Sequence, residues 1–435
     1  MNLKSVSIKN WREIKKIDIR FENLMLFLGQ SSDGVNNIIS ALAFAFKNKK
    51  LEKDDIYDKS NFTTIRLIFE KNKKEYKLKI TASFSTNIPK INYYLKADHD
   101  YKVISKKEYQ KFISQINFIH LYGDLNEQYA TNLKSFFKVI IKNKEEKEIV
   151  KKQLSKIYEK LNEGYKDVEI YRNLFFEFIK IITKMSLERN RTLLPNTIIL
   201  LEDPELYLHP QKSRELYNYF IKLSKLGTNI FLKTYSSSFL GLKQYRSICM
   251  VNKEQNNVEV VQVSKSFGVD EIKAFNMNYW INPDRSELFF AKKVVLVEGQ
   301  TDKIVISYLG KLLNVFKYDY SIIECGSKST IPQFIILLNS FKIPYIVVYD
   351  KDNHKWRTKE EIFNSNKKNK TIKSMVRVQF GDYVEFENDI EEEIYNKNNT
   401  RFSYKNKPFN ALKHVSEKGY VIPKKLKNKI LKIYK

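Results

Sequence analysis

The sequence predicts an α/β protein with two domains, because each half contains apolar runs that stop on charged or glycine residues. In the second half, KKVVLVEGQTD (292–302) and IPYIVVYDKD (343–352) are β-branched and aliphatic runs that end on acidic side chains. In the first half, LMLFLG (24–29) ends on glycine and TIILLED (197–203) ends on two acids. Such runs are typical of strands buried on both faces of a parallel sheet. A chain of 435 residues is long enough for two cores of this kind.

Charge and composition indicate a partner and a compartment. The formal net charge is +27, and a field of that sign attracts polyanions such as DNA. Lysine is abundant along the whole chain. The alternative to a nucleic-acid partner is therefore that many of these lysines only keep the surfaces of helices hydrated. Two cysteines, and the lack of an apolar run of about 18 residues, predict a cytoplasmic protein without a membrane span.

Four acidic residues follow the two strands of the second half. Glu298 and Asp302 come after the first strand, and Asp350 and Asp352 close the second. Ligands of a parallel sheet bind beyond the carboxyl ends of its strands, so these carboxylates are expected to converge and to need cations between them. Hard oxygen ligands suit Mg²⁺ or Mn²⁺. For either stretch alone, a solvated strand end is the alternative; the order and spacing of the pair favour the metal site.

The same residues resemble a known family. EGxxD (298–302) followed by a strand ending in DxD (350–352) resembles the Toprim domain. ELFFAKKVVLVEG (287–299) resembles the OLD family of nucleases, which join an ABC-type ATPase to a C-terminal Toprim domain and include Gabija-type and retron-associated defence nucleases. The resemblance implies a DNA endonuclease with two metal ions and a bacterial anti-phage role. It assigns the four acidic residues above to catalysis and metal binding.

The tail supplies further candidates for the same site. VRVQFGDYVEFENDIEEEIY (376–395) resembles the late acidic segment that holds the second metal ion in OLD nucleases. Glu387 and Glu391 are four residues apart and would share one face of a helix. The competing ligands in this segment are Glu385, Asp389, Glu392 and Glu393. NKPFNALKHV (406–415) resembles the family's Lys-Pro segment, which implies that Lys407 stabilises the scissile phosphate.

The first half contains the strand, glycine loop and helix pattern of a phosphate-binding loop. Gly29 and Gly34 have the Walker A spacing, but Val35 and Asn36 stand where ATPases have Lys and Ser or Thr. Valine cannot neutralise phosphate charge, so we expect a degenerate nucleotide site. Two interpretations stay open, namely a strand-to-helix turn kept for the fold, and an anion site formed by backbone N–H groups.

A second segment resembles the Walker B and D-loop of these ATPases. TIILLEDPELYLHPQKS (197–213) implies that Glu202 binds Mg²⁺ through water and that Asp203 is the catalytic base. GTNIFLKTYSSSFL (227–240) resembles the last core strand and its switch, with Tyr235 in place of the usual His. The resemblance therefore implies an ABC-like domain that has lost most of its ATP hydrolysis and serves dimerisation or sensing. ATP binding stays an open alternative.

The remaining segments define the domain organisation. Alternating strands are predicted over residues 63–96. A charged helical arm is predicted at about 126–195 and resembles the inserted helices of RecF-like ATPases; its alternative is a plain surface helix. Asn162, Glu163 and Gly164 resemble the ABC signature loop, which opens a helix. Turn-type residues at 282–284 place the boundary between an ABC ATPase-like domain (1–285) and a Toprim domain (286–435).

The main hypothesis is a metal-dependent DNA endonuclease that oligomerises through its ABC-like domain. A regulatory protein or nucleic acid of a defence system is a further expected partner. One alternative is an ATP-dependent SMC/RecF-like DNA-binding or repair protein, which Val35 and Tyr235 disfavour. The other alternative is a non-catalytic, partner-binding subunit, which the full set of acids disfavours. The sequence does not distinguish DNA from RNA as substrate, or nicking from double-strand cleavage.

Overall fold

The computed structural model describes most of the chain and divides it into two compact units. The units are Met1–Lys265 and Ser266–Lys435. The predicted turn at 282–284 lies outside the described residues, and so do residues 126–132, 135, 137–146 and 164–167 of the predicted arm. The described residues are 1–29, 32–47, 50–85, 88–96, 100–122, 133–134, 136, 147–163, 168–240, 245–254, 257–264, 285–397 and 406–435.

The first unit combines strands and helices in an order that gives two sheets. Its strands are β1 (Asn2–Trp11), β2 (Ile14–Arg20), β3 (Leu24–Gly29), β4 (Thr63–Lys71), β5 (Lys74–Ser85), β6 (Ile88–Lys96), β7 (Lys102–Ile104), β8 (Asn117–Leu121), β9 (Thr197–Glu202), β10 (Asn229–Lys233), β11 (Ile248–Glu254) and β12 (Asn257–Val261). Its helices are α1 (Ser32–Lys47), α2 (Lys106–Ile113), α3 (Lys147–Asn162), α4 (Val168–Glu188) and α5 (Pro210–Lys225). Short 3-10 turns span Lys53–Asp55, Ser237–Phe239 and Tyr245–Ser247.

The first sheet is antiparallel, with strand order β2-β1-β4-β5-β6-β7. Its strands alternate apolar and polar residues, which buries one face of the sheet. Ile8 of β1 lies opposite Ile17 of β2 and Ile65 of β4, and all three are buried. The alternating strands predicted over residues 63–96 are confirmed.

The second sheet has the order β12-β11-β3-β10-β9-β8 and is parallel except at the β11–β12 pair. Strands β3, β9 and β10 are the continuous apolar runs of the sequence, and their residues are almost all buried. Helix α1 packs Ile38 and Leu42 into the core that the two sheets share. Because the five parallel strands run in one direction, the carboxyl ends of β3, β9 and β10 lie at one edge, beside the start of α1.

The two glycines with Walker A spacing lie at the end of β3 and in the first turn of α1. Helix α1 begins at Ser32, so Gly34 is a helix residue. A Cβ atom at Gly29 would collide with the carbonyl oxygen of Val251 on β11, and one at Gly34 would lie 3.0 Å from Val251 Cγ1. Gly29 is therefore required by the close packing of β3 against β11, whereas a side chain at Gly34 would need Val251 to shift by a few tenths of an ångström.

The helices that fall within the predicted arm pack against one another. Helix α3 contacts α4, and α4 contacts α5. Leu154, Ile157 and Leu161 form an apolar stripe on α3, and all three are buried. The stripe is therefore used for packing rather than left on the surface.

The second unit alternates strands and helices. After a 3-10 turn (Arg285–Phe289), its elements are β13 (Lys293–Val297), α6 (Gln300–Leu312), β14 (Tyr320–Glu324), α7 (Ile331–Phe341), β15 (Tyr345–Asp350), α8 (Lys359–Met375), β16 (Gly381–Phe386), α9 (Ile390–Tyr395), α10 (Lys407–Val415) and α11 (Lys424–Ile433).

The second unit forms a four-stranded, fully parallel sheet with the order β14-β13-β15-β16. Helices α6, α10 and α11 contribute to one core, and α7 packs between β13 and α8. The predicted parallel sheet of residues 294–352 is confirmed, β16 extends it, and the α/β fold class holds for both units. No helix in the described part of the chain is both long and apolar enough to cross a membrane.

Candidate functional site

The carboxyl ends of the parallel strands in the second unit bring charged side chains to one edge of the sheet. Glu298 follows β13, and Asp350 is the last residue of β15. Strands β13 and β15 are direct neighbours, so the two predicted residues meet: the Asp350 backbone N–H donates to Glu298 Oε1 at 2.9 Å. The loops after β14 and β16 add Lys328 and Asp389 to the same edge.

Glu298, Asp302 and Asp350 form an acidic trio, in which Asp302 is buried and the other two are partly buried. Asp302 lies in the first turn of α6, and its Oδ2 accepts a hydrogen bond from the Gly299 N–H at 3.0 Å. Burial, followed by the charge of Glu298, raises the pKa of Asp302 from 3.8 to about 8. Burial also raises the pKa of Glu298, and burial with the charge of Asp302 raises that of Asp350. Carboxylates that oppose one another's ionisation in this way are characteristic of functional sites.

Lys328 is a cation that the fold itself supplies to this edge, and sequence analysis missed it. Its side chain is 6% exposed, and its Nζ donates to the Asp350 carbonyl oxygen, to Asp352 Oδ2 and, at 3.0 Å, to Ser365 Oγ. Glu298 Oε1 lies 3.6 Å from the same nitrogen. Lys328 lies in the loop after β14, so the rule that located the acids at strand ends could also have found this lysine.

Asp352 has a cation on each of its carboxylate oxygens. Oδ2 accepts from Lys328, and also from Ser365 Oγ at 3.0 Å. Oδ1 lies 2.7 Å from an Arg357 guanidinium nitrogen. Asp352 is therefore held between two basic side chains. Glu298, Asp302 and Asp350 are not held in this way, and the DxD motif does not reveal the difference.

His354 connects the loop after β15 to the start of α9. Its Nε2 lies 3.2 Å from Asp389 Oδ2, and its Nδ1 lies 3.1 Å from Glu392 Oε1. Asp389 caps α9 by accepting a hydrogen bond from the Glu392 N–H at 2.8 Å. Burial raises the pKa of Asp389, and its charge contributes to the raised pKa of Asp350. Asp389 therefore lies beside the acidic trio.

The structure separates the two tail acids that were predicted to share a helix face. Helix α9 begins after Glu387, so that prediction is wrong. Glu387 is 72% exposed and lies 3.0 Å from Lys351 Nζ. Glu391 is buried, and its Oε1 lies 3.0 Å from Lys407 Nζ. The charges of Glu391 and Lys407 both act on Asp302, which places this pair beside the trio.

The donor chemistry at this edge fits a hard divalent cation, although the ligands are not arranged as a cage. Among the described residues, no group of three or more His, Cys, Asp or Glu side chains is spaced to hold a metal ion. Asp350 Oδ1 is nevertheless buried, with no hydrogen-bond partner in the described part of the chain. A buried carboxylate oxygen without a partner is costly, and a cation would satisfy it.

The raised pKa of Asp302 predicts how stability depends on pH when divalent cations are removed. A carboxyl group whose pKa is higher in the folded state stabilises the fold at low pH, and loses that contribution as the pH rises to the folded value. In EDTA we expect the free energy of unfolding to fall as the pH rises from about 5 to about 8. Denaturant titrations of the wild type and Asp302→Asn measure this slope. The variant should show a smaller slope, and equal slopes would contradict the assignment.

In the first unit, the predicted nucleotide-site residues meet at the carboxyl edge of the second sheet. Glu202 ends β9, Asp203 follows it, and Asn36 lies near the start of α1. Val35 is 1% exposed and belongs to the core. A residue that sequence analysis missed, Lys233 at the end of β10, lies among the polar members and donates to Asn36 Oδ1 at 3.0 Å.

The parallel sheet, with its EGxxD and DxD strand ends at one edge, defines the second unit as a Toprim-type domain. Residues 289–352 match the family model described as "Overcoming lysogenization defect protein-like, TOPRIM domain". Residues 98–287 match a model described as a protein of unknown function, DUF2813. The predicted resemblance to the OLD family is confirmed, and the second unit carries an OLD-like Toprim domain.

Two curated proteins that are similar to this chain are named OLD nucleases. The OLD nuclease of Thermus scotoductus is 27% identical over 164 residues, which are 35% of this chain and 30% of the relative. The Old nuclease of Escherichia phage P2 is 25% identical over 192 residues, which are 42% of this chain and 32% of the relative. The match thus spans about a third of the length of these relatives.

Solved structures of SMC head domains also align with the chain. The SMC head domain from Thermotoga maritima has a TM-score of 0.40 and 12% identity, over 61% of this chain and 100% of that chain. A Smc head domain bound to a ScpA domain derived from Pyrococcus furiosus has a TM-score of 0.38 and 10% identity, over 63% of this chain and 99% of that chain.

Proposed function

We propose that this protein is a metal-dependent DNA endonuclease whose active site lies at the carboxyl edge of the Toprim sheet. The observation that supports this most directly is the acidic trio of Glu298, Asp302 and Asp350, in which Asp302 is buried and a buried Asp350 oxygen has no hydrogen-bond partner among the described residues. The curated relatives are OLD nucleases. Since the match covers about a third of their length, activity, substrate and partners all belong to the proposal.

The acidic side chains divide into two groups of metal ligands. The trio would hold one Mg²⁺ or Mn²⁺ ion, and Glu391 with Asp389 would hold a second. Divalent ions at such a site favour deprotonation of water and stabilise charge on the leaving oxygen. In the overall reaction, a water oxygen bonds to phosphorus, the bond from phosphorus to the 3′-oxygen breaks, and that oxygen gains a proton.

Two lysines have different roles in this proposal. Lys407 is 25% exposed and pairs with Glu391, so its ammonium can contact an entering phosphate and stabilise the charge that develops there. Lys328 is almost fully buried and bonds to Asp352 and to the Asp350 backbone. We assign Lys328 a positioning role, in which it fixes the loop that carries both aspartates.

The partners follow from charge and from the resemblance. A net charge of +27 supports a polyanionic substrate, and binding should weaken steeply with salt because counterions are released from DNA. A second copy of the chain, bound through the ABC-like unit, and a regulatory component of a defence system complete the proposal.

Cleavage of supercoiled plasmid by the purified chain tests the proposed activity. We expect nicked or linear DNA with Mg²⁺ or Mn²⁺, no cleavage in EDTA, and no requirement for ATP. An RNA of matched length, assayed in parallel, distinguishes the two substrates. A folded protein that cleaves neither substrate with either metal ion would contradict the proposal. Plaque counts on bacteria that express the chain test the defence role, and they should fall.

A further inference from the structure

The nucleotide-site region of the first unit contains a buried lysine where its family resemblance implies a nucleotide and a metal ion. Lys233 is the last residue of β10, and its side chain is 8% exposed. Its Nζ donates to Asn36 Oδ1 at 3.0 Å and to Glu202 Oε2 at 3.4 Å, and it lies 3.7 Å from Asp203 Oδ2. One ammonium thus contacts the start of α1 and both acids of the Walker B-like segment.

The backbone fixes this arrangement. Lys233 is the register partner of Glu202 in the parallel pairing of β10 with β9, and the Asp203 N–H donates to the Lys233 carbonyl oxygen at 2.8 Å. On its other side, Lys233 is the register partner of Phe27 on β3. Since Lys233 ends the strand between β3 and β9, its side chain is positioned by two neighbouring strands rather than by a flexible loop.

Two of the polar groups that a magnesium nucleotide would need, Glu202 and Asn36, are already used, while Asp203 Oδ1 has no hydrogen-bond partner among the described residues. Glu202 bonds to Lys233 through Oε2 and to His120 Nε2, at 2.7 Å, through Oε1. The Asn36 side-chain oxygen, which stands where ATPases have a metal-binding hydroxyl, accepts from Lys233. Val35 is packed in the core. A second cation beside the ammonium would be repelled by it, so the residues present do not fit a magnesium nucleotide.

We infer that Lys233 is a built-in cation that replaces both the nucleotide's metal ion and the missing P-loop lysine. The first unit then keeps its conformation without ATP. This inference is independent of the proposed nuclease activity, because it concerns a different unit and a different ligand.

Calorimetric titration of the full-length chain with ATP and Mg²⁺ tests the inference directly. We expect no saturable binding by the wild type. Saturable binding that Asn36→Ala or Glu202→Gln weakens would overturn the inference. Measuring in a Glu298→Gln, Asp350→Asn background separates this result from metal binding at the Toprim site.

The same background allows a second test that needs no nucleotide. Lys253→Ala is the control, because the Lys253 side chain is 24% exposed and forms an ion pair with Glu13. Lys233→Ala should lower the thermal midpoint of unfolding more than this control does. The vacated oxygens should also let Mg²⁺ raise the midpoint of Lys233→Ala, an effect that the background lacks. Equal midpoints for the two lysine variants would contradict the role of Lys233. If Lys233→Ala does not fold, the calorimetric titration of the wild type with ATP and Mg²⁺ still tests the inference.

Discussion

Plasmid cleavage should fall by roughly 10³-fold or more in Glu298→Gln and in Asp350→Asn, since losing several kcal/mol of charge stabilisation has that effect on a rate. Both substitutions remove a charge from the acidic trio with almost no change in side-chain shape. Glutamine keeps the side-chain oxygen that accepts from the Asp350 N–H. The loss would therefore come from the missing carboxylate rather than from a broken strand end. Gel assays with Mg²⁺ at saturating DNA measure the change.

Stability in EDTA distinguishes a lost ligand from a damaged fold. Burial and the neighbouring carboxylates raise the pKa of Asp350, so Asp350→Asn removes a group that opposes its neighbours. We expect this variant to be at least as stable as the wild type while it is inactive. Asp319→Asn is a matched control, because Asp319 is half-exposed, pairs with Lys292 and precedes β14 at the opposite edge of the sheet. Retained activity in either trio variant would refute the proposed site.

Lys328→Met should lower the free energy of unfolding of the second unit by about 3–5 kcal/mol in EDTA, the usual result of removing one partner from a buried ion pair. Asp352 would keep Arg357 on one oxygen and lose its cation on the other. Glu298 would lose the positive charge at 3.6 Å. The vacated charge should also make Mg²⁺ stabilise the variant more than it stabilises the wild type. Chemical denaturation with and without Mg²⁺ measures both effects.

Lys367→Met is a control for this prediction, because Lys367 lies on the same helix as Ser365, a partner of Lys328. Lys367 is an exposed residue of α8, the helix that carries Ser365, so Lys367→Met should change the free energy of unfolding by less than about 0.5 kcal/mol. If the two variants had equal stability, Lys328 would not be the internal cation of the site. Cleavage by Lys328→Met should fall as well, because the loop that carries Asp350 and Asp352 loses its anchor.

The class of fold and the location of the acidic site could be predicted from the sequence. Strand runs such as KVVLV and YIVVYD are local patterns. A short, continuous run of apolar residues indicates a strand buried on both faces of a sheet, whatever the rest of the chain does. The direction of parallel strands then places the residues that follow them at one edge. This reasoning located Glu298 and Asp350, which are in direct contact.

The tertiary structure alone decided which charged groups are paired. Lys328 and Lys233 are two among 77 basic residues. The strand-end rule could place Lys328 at the site, but no sequence motif assigns either lysine to a particular acid. Lys233 reaches Asn36 across 197 residues of sequence, and Glu387 is separated from Glu391 because the chain starts its helix at Ile390. Apolar periodicity can be read from the sequence because it depends only on residues that are close together in the chain. The partner of a buried charge is set by how strands and helices pack, because only packing brings distant side chains within a few ångströms of each other.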